Sequence, residues 1–147
     1  MKRFLVLLVL LAGTFAPSAL AGTANGGGRG TADGATPFSD FGFGVTADAN
    51  GVVGHFNCLM AGSSQFPGFT LMAVRGDVTN AVIAGDAASF DGTGMFQTGN
   101  QGKSPATFHV EVTAGGPGVG TLRLTLLTPF FFALPTERVL AGQISIR

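Results

Sequence analysis

Residues 41–60 read FGFGVTADANGVVGHFNCLM, and this stretch decides the fold. Phe41, Phe43 and Val45 fall on every second position, the period of a strand with one buried face. Asp48-Ala49-Asn50-Gly51 then reads as a hairpin turn, with Asn50 and Gly51 expected to supply positive φ values. Alternation resumes from Val52 to Met60, placing Phe56, Cys58 and Met60 on one face and His55 and Asn57 on the other.

The same pattern extends through the chain. Phe69 to Val82 alternates, with a kink or turn expected near Gly76-Asp77. Gly85-Asp86 turns into Ala87 to Gln97, where Phe90, Gly92, Gly94 and Phe96 share a face. Glycines on that face leave room for large neighbouring rings, and scattered strand glycines point to bends or bulges. A loop over Gly99–Ser104 leads to Phe108, Val110 and Val112, with His109 and Glu111 pointing the other way. After the glycine-proline turn of Ala114–Gly120 come Leu122, Leu124 and Leu126, a loop from Pro129 to Arg138, and a last strand from Val139 to Ile146. Gly26–Thr31 opens the domain. No stretch keeps a 3.6-residue period. The expectation is an all-β fold, a small antiparallel β-sandwich or barrel of about eight strands.

The N-terminus predicts export. Lys2 and Arg3 precede the apolar run Phe4–Ala12, Pro17 breaks it, and Ala19-Leu20-Ala21 is a small-x-small cleavage site. Residues 1–21 are therefore expected to be a signal peptide and 22–147 a single all-β domain, secreted or periplasmic. Without Lys2 and Arg3 the chain carries eight acidic against six basic residues, with Lys103 its only lysine. No basic patch is left for nucleic acid. No later apolar run reaches the roughly 18 residues of a membrane span. Cys58 is the single cysteine, so the usual disulfide-stapled secreted scaffold is excluded.

Several motifs suggest chemistry and fall short of it. Gly99-Asn100-Gln101-Gly102-Lys103-Ser104 looks like a phosphate loop, but Gln97 stands where the first glycine belongs and Pro105 begins a strand rather than a helix. Asp48-Ala49-Asn50-Gly51 resembles half a calcium loop without its bidentate glutamate. Cys58 alternates in phase with Phe56 and Met60, as a buried inert thiol does. His55, His109 and Glu111 would suit zinc only if their strands were neighbours, which gives the rival reading, a metal-dependent or hydrolytic enzyme. The expectation is no catalytic residues, no metal and no cofactor.

The binding candidates are aromatic. Thr128-Pro129-Phe130-Phe131-Phe132-Ala133-Leu134-Pro135 holds three consecutive phenylalanines that cannot all face inward from one extended strand. Phe66-Pro67-Gly68-Phe69 has similar character. If both lie at one end of the fold, Phe66, Phe69, Phe130, Phe131 and Phe132 form an apolar mouth for a ligand or protein partner. The alternative is a plug whose rings cap the core. Tryptophan and tyrosine are absent, which disfavours a sugar-stacking surface.

Gly26-Gly27-Gly28, Phe41-Gly42-Phe43, Gly54-His55-Phe56, Phe90-Asp91-Gly92-Thr93-Gly94, Thr107–Val112 and Ala141–Ile146 occur in an order that spans nearly the whole exported chain. In this the chain resembles the post-COAP-type domains, small secreted bacterial β domains of uncharacterised function. The resemblance implies a compact antiparallel fold in which the first and last strands pair, and it implies no activity. Cys58-Leu59-Met60 and the Phe130–Phe132 loop depart from the pattern.

Overall fold

The computed structural model describes residues 21–61, 71–99 and 101–147. Nine strands follow in chain order: β1 (Gly22–Thr31), β2 (Pro37–Asp48), β3 (Gly51–Ala61), β4 (Leu71–Ala84), β5 (Ala87–Thr98), β6 (Ser104–Thr113), β7 (Thr121–Thr128), β8 (Phe132–Ala133) and β9 (Glu137–Ile146). All belong to one antiparallel sheet. From β1 to β7 each strand pairs with the next in sequence. β9 pairs with β7 through Thr121↔Arg138 and Leu122↔Glu137, and with β1 from Ala24↔Ile146 to Thr31↔Arg138. The first and last strands of the domain are therefore hydrogen-bonded neighbours. β8 is a two-residue addition on β7.

Period-2 patterning places the core. Phe41, Phe43 and Val45 on β2, Phe56, Cys58 and Met60 on β3, Phe108, Val110 and Val112 on β6, and Leu122, Leu124 and Leu126 on β7 are all buried. Four rings form its centre: Phe43 lies 5.4 Å from Phe90, Phe90 5.9 Å from Phe56, and Phe56 5.3 Å from Phe108, centroid to centroid. Such tilted and edge-on pairs add attraction beyond the area they bury.

Two glycines make space for these rings. A Cβ on Gly26 would stand 2.5 Å from the Phe43 ring, and one on Gly92 would stand 2.2 Å from Phe108 Cζ and 2.7 Å from the Asp77 carbonyl. Gly92 thus fulfils the expectation for the glycine-bearing face of β5.

Three local features differ from the sequence expectation. Asn50 does not take a positive φ: in the β2–β3 turn that conformation falls on Gly51 alone (φ +126°), while Asp48 Oδ1 accepts the Asn50 N–H at 2.7 Å and holds the turn from its side chain. β4 runs through Gly76-Asp77 without a turn, and its irregularity comes later, as a register shift between Val78 and Asn80. The extra residue, Thr79, bonds through its hydroxyl to the Asp91 carbonyl at 3.3 Å, consistent with a β-bulge. β1 is a full strand despite its weak β propensity, because β2 and β9 hydrogen-bond it from both sides.

These glycine contacts set a testable contrast. Gly92→Ala is expected to destabilise the fold by about 2 kcal/mol, since backbone as well as a core ring occupies the space. Gly42→Ala meets nothing within 4 Å and is expected to be neutral or stabilising by up to about 1 kcal/mol. Urea midpoints of the two variants measure both.

Candidate functional site at the Phe-loop end

The segment after β7 divides its aromatic residues between solvent and core. Phe131 is 73% exposed and Phe130 45% exposed. Phe130 sets its ring edge-on against Phe96 of β5, at 5.5 Å and 85°. Phe132 is partly buried against the core, and Leu134 is buried outright, with its N–H donating to the Leu124 carbonyl at 3.0 Å. The segment thus divides: Phe132 and Leu134 pack inward, while Phe130 and Phe131 project. No residue from Leu124 to Thr136 carries a charge. Between Phe130, Pro129 and the β5–β6 turn lies an open cleft of about 340 Å³, lined also by Phe96, Thr98 and Ser104.

Phe66 and Phe69 lie outside the described residues. The strand ends on either side of them, Ala61 and Leu71, pair with each other, and Met72 pairs with Thr98. Those ends belong to the same end of the sheet as the Phe130 cleft.

The polar candidates are kept apart. His55 is on β3 and His109 on β6, with β4 and β5 between them. His109 Nδ1 meets Asp91 Oδ1 at 2.7 Å on the outer surface, and Glu111 is 3.8 Å from Arg123. The condition for a His55–His109–Glu111 zinc site, neighbouring strands, is not met. Among the described residues no three His, Cys, Asp or Glu side chains come together as a metal-holding group. Cys58 is fully buried, and its thiol is pushed far up, first by burial and then by the charge of Glu137. The Gly99–Ser104 loop leads directly into β6, with no helix N-terminus to receive a phosphate.

Sequence reasoning misses one buried residue close by in the chain. Glu137 falls in the segment expected to be a loop; it is the first residue of β9, opposite Leu122 of β7, and is 1% exposed. Ser39 of β2 donates its hydroxyl to Glu137 Oε2. Gly30 of β1 leaves the space: a Cβ there would fall 2.0 Å from the same oxygen. Burial raises the Glu137 carboxyl to about 7, against a smaller downward pull from the Ser39 hydrogen bond. The signal for this placement was its phase, two positions before the buried Val139 on the same strand. By contrast, Asp33 in the β1–β2 turn is held well below the usual carboxylate range. It accepts the Ala35 and Thr36 N–H groups at 2.8 and 2.7 Å and the Thr31 hydroxyl at 2.9 Å.

No family model matches this chain, and no curated protein or solved structure matches it.

The Glu137 site predicts an unusual pH profile. Its carboxyl titrates near 7 in the folded chain and near 4.5 when unfolded, so the native state holds the extra proton between those values. Stability is therefore complete below about pH 4.5 and falls as pH rises through 7, by up to about 3 kcal/mol. Glu137→Gln is expected to flatten that slope. Chemical denaturation at a series of pH values reads both.

Proposed function

We propose that this chain is an exported, non-enzymatic domain that docks an apolar ligand, or an apolar patch on a protein partner, through its Phe-loop end. The observation that carries the reading is the projection of Phe130 and Phe131 from a charge-free stretch. Exposed aromatic side chains at adjacent positions lower solubility, and such patches commonly mark interaction sites.

The architecture supports this assignment. The cyclic order of pairing, from β1 through β7 to β9 and back to β1, supports reading the fold as a small closed barrel. In a closed barrel no long strand edge is left for a partner to extend, and the loops at the two ends carry recognition. At the opposite end the turns hold Asp48 and Asp86, and the exposed apolar residues there, Val53, Val82 and Val119, are aliphatic and separate in sequence. Phe66 and Phe69 belong to the proposed surface by their place in the sequence.

Export follows from the N-terminal pattern: Lys2-Arg3, the apolar run and Ala19-Leu20-Ala21. On this reading the working domain is 22–147, needs no cofactor and acts in the periplasm or outside the cell. The likeness to post-COAP-type domains agrees with a secreted β module and adds no activity.

Fluorescence of an apolar dye tests the reading. The wild-type domain is expected to enhance dye emission strongly, and Phe131→Ser is expected to abolish most of that enhancement while leaving the unfolding midpoint nearly unchanged. A wild type that binds no dye, with a variant that loses stability instead, would make the segment a cap on the core and overturn the proposal.

A further inference from the structure

Glu137 has no part in the docking surface as described, yet its burial demands an account. Buried carboxylates usually face a cation or a metal. Around this one, β1 presents Gly30 and the neutral Thr31, while Arg29 is engaged on the exterior with Asp40 at 3.2 Å. β2 presents Ser39, and β3 presents the neutral thiol of Cys58. On β7 the register partner is Leu122. Arg138, the next residue of β9, is exposed. Residues 62–70 contain no ionisable side chain. Among the described residues, then, no cation faces the carboxyl group. Among the described residues its side-chain hydrogen-bonding partner is the Ser39 hydroxyl.

The position of Glu137 gives this arrangement mechanical leverage. Only Leu134, Pro135 and Thr136 separate it from β8. Leu122↔Glu137 is also the outermost of the two register pairs joining β9 to β7. Releasing Glu137 would free the start of β9 while the β1–β9 ladder from Arg138 onward stayed paired.

We propose that Glu137 is a proton-operated latch on the Phe segment. In its neutral form it seats among Ser39, Gly30 and Cys58 and fastens the segment that runs from the Phe residues down the flank of β7 into β9. On losing its proton to water it moves out to solvent, and the segment opens. A titration midpoint near 7 places the switch in a pH range that an exported protein meets. The inference concerns the motion of the segment and does not depend on what the Phe rings bind.

Amide hydrogen exchange on the whole chain tests it, with protection factors used to remove the intrinsic effect of pH. The reporter is the Leu134 N–H, bonded to Leu124, and the reference is Val110, buried on β6. In the wild type, Leu134 is expected to lose protection roughly tenfold or more between about pH 6 and about pH 8 and to approach an unprotected amide, while Val110 stays strongly protected. Glu137→Gln, neutral and of the same shape, is expected to remove the pH dependence at Leu134. Should that variant fail to fold, Ser39→Ala serves instead: deleting the hydroxyl that favours the ionised form is expected to move the transition to higher pH. Equal protection at Leu134 and Val110 at every pH would mean one global opening and would overturn the latch. So would a Leu134 profile that neither variant changes.

Discussion

The pairing of β1 with β9 is the constraint on which the rest of the structure depends. β1 is rich in glycine and offers few side chains to bury, so neither hydrophobic periodicity nor β propensity specifies it as a strand. Its backbone groups are satisfied because β2 lies on one side and β9 on the other. The same pairing brings Gly26 under the Phe43 ring and Gly30 against Glu137. A side chain at either position would collide with the residue that the pairing delivers there. The poverty of β1 in side chains is thus what lets the two ends of the chain close around large core residues.

That pairing gives β9 two neighbours, β1 and β7. With β1 and β9 joined, the sheet's polar backbone is directed inward to its own ladders, and the outer wall carries dispersed pairs such as Arg29–Asp40, His109–Asp91 and Arg123–Glu111. Exposed ion pairs of this kind contribute little stability and keep the wall soluble. Two adjacent exposed rings stand at Phe130 and Phe131, on a segment that also carries the buried Leu134 and leads into the buried Glu137. One short stretch combines the projecting rings, the cap on the core and a buried acid. The proposed docking and the proposed latch are consequently neighbours in sequence.

Much of this was legible in the sequence where burial is one-sided. The alternation of Phe41-Phe43-Val45, Phe56-Cys58-Met60, Phe108-Val110-Val112 and Leu122-Leu124-Leu126 marks residues that are buried in the fold. The pattern fails where a side chain is missing or of the wrong polarity. β1 lacks alternation because glycine has no face to hide. Glu137 was read as loop because a carboxylate is rarely a core residue; only its phase with Val139 reveals it. The irregularity of β4 falls at Thr79, just past Gly76-Asp77, and at Gly76 itself the strand meets Gly94 in register as a close backbone contact with no turn. The Phe130–Phe132 run has no alternation to read, and the structure exposes Phe130 and Phe131 while partly burying Phe132.

The most direct test of the account is a nuclear Overhauser spectrum of the folded domain, searched for contacts between β1 and β9. The account predicts cross-strand contacts between the Gly26 and Ile144 strands' facing backbone protons, continuing toward Ala24 and Ile146. Their absence, with β1 amides protected only where they face β2, would leave two open strand edges. Recognition by strand addition would then be favoured over the proposed Phe-loop docking.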